Sequence, residues 1–163
     1  RQLDILVEGM GRVNYGPHML DRKGITQWVE FPSPYPAGVV MNWEVFNLPL
    51  DAAQLRRLKW GKASAGGPAF HRGFFEVRTL GDTFLDLRGW TKGYVWVNGH
   101  NLGRFWRIGP QQTLFLPGCW LKRGRNEIIV LDLERPARGS VAGLRAPVLD
   151  EDESGAQREQ WHP

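Results

Sequence analysis

The chain is short of the residue types that most often announce chemistry. Its one cysteine, Cys119, cannot close an internal disulfide, and no histidine sits in a recognisable motif with it, so it is expected as a small buried or half-buried apolar residue and not as a nucleophile. The four histidines, His18, His71, His100 and His162, show no metal-ligand spacing, and there is no cysteine cluster to complete a zinc site. No loop has a spacing specific for calcium. No metal and no cofactor are expected. No apolar run approaches membrane-spanning length, which argues against a membrane partner. The compartment stays open, because a chain without its own N-terminal start would not display a signal peptide.

Carboxylates at catalytic spacing are equally scarce. Glycoside hydrolysis needs two carboxyl groups about 5–5.5 Å apart for retention or about 6.5–9.5 Å for inversion. Asp82 and Asp86 on one strand would lie about 13 Å apart at about 3.3 Å per residue. Asp132 and Glu134, about 6.6 Å apart by the same geometry, pass on distance. They are read as solvated charges ending a core strand, since no histidine, aromatic floor or glycine-rich loop is near them in sequence. No catalytic residue is assigned.

The charge balance is not strong evidence of a nucleic-acid partner. Net charge is +4, but the basic residues Arg56, Arg57, Lys59, Lys62, Lys122, Arg123 and Arg125 are scattered. The stretch Lys92 to Val97 echoes an RNA-recognition signature and then departs from it at Val95 and Gly99. No nucleic acid is expected.

The chain is rich in turn formers and large rings, with 20 Gly, 11 Pro and 8 Trp in 163 residues. That suits a compact, turn-rich β protein able to bury its own core. Alternation predicts strands near 3–8, 26–31, 43–48, 69–77, 83–87, 93–97, 105–106, 113–116 and 127–133. Many short strands between Gly and Pro turns indicate a sandwich. The run Ile128-Ile129-Val130-Leu131-Asp132-Leu133 suits a strand buried on both faces. Asn98-Gly99 accepts the positive φ angles of a type I′ hairpin turn. One short helix is expected, capped by Asp51 with Gln54 completing a capping box and Leu55 and Leu58 on one face. The loops 32–38 and 61–67 read as stiff and flexible connections respectively, Val141 to Leu149 as an edge strand or apolar strap, and 150–163 as a polar, mobile tail. The organisation expected is a β-sandwich domain over 1–149 followed by that tail.

Two groups of residues suggest a site. The segment Gly11-Arg12-Val13-Asn14-Tyr15-Gly16 has glycines that allow sharp turns, so it can project an aromatic with a polar tip. Such a ring covers an apolar sugar face while its hydroxyl exchanges hydrogen bonds with sugar hydroxyls, although a tyrosine merely satisfying a buried backbone group is the commoner case. The second group is Trp90, Trp96, Trp106 and Trp120, which are either core rings or a sugar-stacking face.

Three ordered blocks carry a family resemblance: LDILVEGMGRVNYGPHMLDRKGI (3–25), GWTKGYVWVNGHNLGRFW (89–106) and GPQQTLFLP (109–117). They resemble the late β-domain of the family 35 glycoside hydrolases, the β-galactosidases, and cover most of 3–134. The resemblance implies an all-β, jelly-roll-like sandwich of the galactose-binding-domain type, with one short helix, matching only the last domain of a multidomain enzyme. Both catalytic glutamates of that family belong to a (β/α)₈ barrel absent from this chain. Its implied partners are that barrel, the other β-domains and a β-galactoside substrate. It implies further that Tyr15 reaches the galactose pocket and that Arg12 holds the loop or interface through its fork of donors, and Asn14 is placed with Tyr15 as a substrate-binding residue. Trp90 is placed with Arg12 as structural support of the site. The alternatives are a carbohydrate-binding module acting through exposed tryptophans and a purely structural interdomain brace.

Overall fold

The computed structural model describes residues 2–9, 11, 13–32, 38–61, 67–109, 112–134 and 139–149. They fall into two compact units, 1–48 and 49–163.

The first unit holds a 3₁₀ turn at Pro17–Leu20 and one isolated antiparallel bridge, Glu30 to Val39. The strands expected at 3–8, 26–31 and 43–48 are otherwise absent. An extended segment becomes a strand only when it pairs in register with another, and among the described residues the pairing found for these segments is that single bridge. No described side chain of this unit is buried.

Among the described residues, the second unit is a β-sandwich with a single short α-helix. Its strands are β1 (Ala69–Val77), β2 (Thr83–Asp86), β3 (Lys92–Val97), β4 (His100–Trp106), β5 (Thr113–Leu116), β6 (Gly124–Asp132) and β7 (Ala142–Leu144). They form a four-stranded sheet in the order β1-β6-β3-β4 and a three-stranded sheet in the order β5-β2-β7, antiparallel throughout. β7 supplies the edge strand expected in 141–149.

Side-chain alternation divides the apolar residues between two layers. Val95, Val97, Ile128 and Val130 face the core between the sheets, with Leu85, Leu114 and Leu116 coming from the other side. Trp96, Ile129 and Leu131 point the opposite way and pack with Leu55 of the helix α1 (Ala52–Arg56). β6 is thus buried on both faces, which is why its apolar run is unbroken. The cap of α1 differs slightly from a standard capping box. Asp51 accepts from the Gln54 amide, and the Gln54 side chain accepts from Leu50, one residue earlier than expected.

Asn98 and Gly99 turn β3 into β4 with φ of 49° and 85°, the positive pair a type I′ turn requires. Asn98 also works through its side chain. Its Nδ2 donates to the Trp120 carbonyl and to Asn126 Oδ1, both at 2.8 Å, and its Oδ1 accepts from the Glu127 amide. Asn126, fully buried, donates in turn to the carbonyls of Lys122 and Gly124 and accepts from the Lys122 amide. The hairpin tip is therefore tied to the turn before β6 by a fully satisfied polar cluster. The loops 33–37 and 62–66, and the tail 150–163, lie outside the described residues.

Candidate functional site

Tyr15 stands in the first unit between Gly11 at φ 72° and Gly16 at φ 92°, with Pro17 opening the 3₁₀ turn behind it. These backbone angles suit glycine and let the loop turn sharply at both ends. The tyrosine is 88% exposed, so it does not satisfy a buried backbone group. Asn14 beside it is exposed as well. Arg12 lies outside the described residues.

Trp90 sits elsewhere, in the core of the second unit. It is 5% exposed, meets His71 edge to face at 4.9 Å, and donates from Nε1 to the Ser140 carbonyl at 2.8 Å. Trp96 is 2% exposed under α1. Trp106 is flanked by two cations, with Lys92 Nζ 4.7 Å and the Arg104 guanidinium 4.8 Å from its ring centre. Trp120 stacks on His100 at 4.7 Å with the planes 10° apart. The four tryptophans therefore do not share an open face, and their rings are spent on packing, cations or histidine.

The candidate carboxylates are also committed. Asp82 Oδ1 accepts from the Gly118 amide at 2.7 Å. Asp86 pairs with Arg88, and that guanidinium holds its carboxyl below the usual aspartate range against the opposing effect of burial. Asp132 corrects the reading of a solvated strand end. It is fully buried and accepts from the Thr91 hydroxyl, the Thr91 amide and the Glu134 amide. Its carboxylate ties the start of β3 to the end of β6, and Glu134 is exposed beyond it. The cost of burying that charge is offset by its three donors. Cys119 also departs from expectation, being exposed in the 3₁₀ turn Gly118–Trp120.

One feature escaped the sequence altogether. A groove of about 910 Å³ runs between β1 and the β2/β7 edge of the sandwich, floored by core residues such as Leu85, Leu116 and Val130. His71 lines it, and among the described residues its buried Nε2 has no hydrogen-bond partner. A histidine inside an ordinary alternating strand gives no sequence signal of this. Among the described residues no group of three His, Cys, Asp or Glu could hold a metal ion.

The layering over 69–144, the NG hairpin and its asparagine cluster are the setting in which comparison with known proteins becomes informative. Residues 68–126 match the β-galactosidase galactose-binding domain. Residues 1–49 match a second model, the first all-beta domain of β-galactosidase, so two β-domain models are represented where the resemblance implied only the last. Tyr15 and Asn14 fall in the all-beta segment, Trp90 in the galactose-binding one. Relatives agree. A β-galactosidase of Xanthomonas manihotis is 47% identical over 115 residues, covering 70% of this chain and 18% of the relative. The β-galactosidase-1-like protein 2 of Homo sapiens is 43% identical over 138 residues, covering 80% and 21%, and the β-galactosidase-1-like protein of Mus musculus is 41% identical over 161 residues, covering 91% and 24%. The chain spans about a fifth of the length of these relatives.

Proposed function

We propose that this chain serves as non-catalytic β-structure of a family 35 β-galactosidase that hydrolyses terminal, non-reducing β-D-galactosyl bonds with retention. It braces the catalytic barrel and lends Tyr15 to the galactose pocket, with Asn14 beside the ring and Arg12 holding the loop. Trp90 supports this at a distance by fixing the sandwich. The observation that carries the reading is Tyr15 itself, a large ring 88% exposed on a glycine-flanked loop within a segment that matches a β-galactosidase domain. Leaving such a ring in water gains nothing for folding, whereas a polar-tipped aromatic is well suited to a sugar. A carbohydrate-binding module built on the tryptophans is less well supported, because Trp90 and Trp96 are buried and Trp106 is flanked by cations.

The test is Tyr15→Phe in the full-length enzyme. Losing one neutral hydrogen bond to the substrate costs about 0.5–1.5 kcal/mol, or about two- to twelvefold in kcat/KM, with the melting temperature unchanged. Arg12→Ala is expected to lower activity and stability together, because a positioning residue acts through the loop. Full kcat/KM in Tyr15→Phe would return the domain to a structural brace.

A further inference from the structure

Asn98 is the one asparagine of the sequence that precedes a glycine, and no aspartate precedes one. The pairing has a chemistry of its own. The Gly99 nitrogen, on a residue with no Cβ to hinder it, can attack the side-chain carbonyl carbon of Asn98. A bond forms from Gly99 N to Asn98 Cγ, the bond from Cγ to Nδ2 breaks, and ammonia leaves carrying the proton given up by the Gly99 amide. Water then opens the cyclic imide at either of its carbonyls, which leaves aspartate or isoaspartate at 98. Gly99 is exposed, so access to water does not limit the reaction.

What limits it is the hold on the Asn98 side chain. Nδ2 donates to the Trp120 carbonyl and to Asn126 Oδ1, and Oδ1 accepts from the Glu127 amide. Swinging Cγ onto the Gly99 nitrogen breaks these bonds together. We propose that Asn98 is a self-modification site, closed while the hairpin tip is tied to the turn before β6 and open once that tie is lost, and that its conversion bars return to the native fold. The second part follows from the partners. A carboxylate at 98 would set oxygen against the Trp120 carbonyl and Asn126 Oδ1, both acceptors, each 2.8 Å from the present Nδ2. Asn126 cannot turn its amide round to donate, because its Nδ2 serves the carbonyls of Lys122 and Gly124 and its Oδ1 the Lys122 amide. The converted chain therefore faces fixed acceptors with no donor between them. Isoaspartate also lengthens the main chain inside the turn that sets Val97 opposite His100. The inference is independent of the role given to Tyr15.

Two measurements on the full-length protein test it. The protein is held at mildly alkaline pH in buffer and in urea above its unfolding midpoint, and the tryptic peptide from Gly93 to Arg104 is followed by tandem mass spectrometry. That peptide also carries Asn101, which precedes leucine and serves as the internal reference. Asn98 is expected to convert at least about tenfold faster in urea than in buffer, as a site reached only through opening does, while Asn101 keeps its amide. Equal conversion in buffer and urea, or Asn101 keeping pace with Asn98, overturns the proposal. The second measurement compares Asn98→Asp with Asn98→Gly, which keeps the positive φ and removes the side chain without introducing a charge. Asn98→Asp is expected to have the lower urea midpoint. A midpoint equal to or above that of Asn98→Gly overturns the claim that conversion bars refolding. Should neither variant fold, the first measurement decides alone.

Discussion

Asn126 contributes almost no apolar surface, yet it is as deeply buried as any residue of the protein, because each polar atom of its amide has a partner in Asn98, Lys122 or Gly124. Trp90 is the apolar counterpart. Its ring fills the core and its Nε1 secures the Ser140 carbonyl, so Trp90→Ala is expected to cost about 3–5 kcal/mol, read as a lowered urea midpoint. An unchanged midpoint with loss of binding to immobilised galactose would make it a binding platform instead. Asp86 gives a pH signature. Its carboxyl titrates below the ordinary 3.8 because of Arg88, so the pair stabilises the fold above that value and the contribution disappears as pH falls through the lowered one. In Arg88→Ala that loss is absent, and the acid limb of an unfolding titration is expected to be shallower below pH 3.8 than in the parent. A limb of identical slope would show that the exposed pair contributes nothing.

At the level of elements, Gly93 fixes how closely β3 and β6 approach. A Cβ there would fall on the carbonyl oxygen of Leu131, a backbone atom that cannot rotate away. Gly93→Ala is therefore expected to cost more than the about 1–3 kcal/mol of ordinary overpacking and to abolish a cooperative urea transition, as followed by tryptophan fluorescence. A midpoint near that of the parent would mean that the strands separate freely. The same elements show what was legible beforehand. The hairpin could be read because Asn98-Gly99 is a local signal, and β6 because an apolar run with no polar interruption has few other homes. The strands expected at 3–8, 26–31 and 43–48 could not be judged that way, since alternation records a face that wants burial but not whether a partner strand is present. Asp132 misled for a related reason: a carboxylate at a strand end looks solvated until Thr91, 41 residues away in sequence, is brought against it. Tyr15 was conspicuous only through its glycines and the family resemblance, and its exposure is a property of the folded loop.

For the molecule as a whole, each carboxylate considered for catalysis is either bonded into the scaffold, as Asp82, Asp86 and Asp132 are, or exposed, as Glu134 is. The 163-residue chain is accordingly expected to release no product from a chromogenic β-galactoside. Turnover abolished by replacing Asp132 or Glu134 but not Tyr15 would refute this. The strand order carries a consequence for synthesis. β6 lies between β1 and β3, yet both neighbours precede it in the chain, and its pairing joins Ala69 to Asp132. On the ribosome, β1 and the β3/β4 hairpin must wait as separate pieces with open edges until the final strand of their sheet emerges. Contacts closed over so long a stretch form slowly, and the interval before β6 appears is the one in which the nascent chain is most exposed to aggregation.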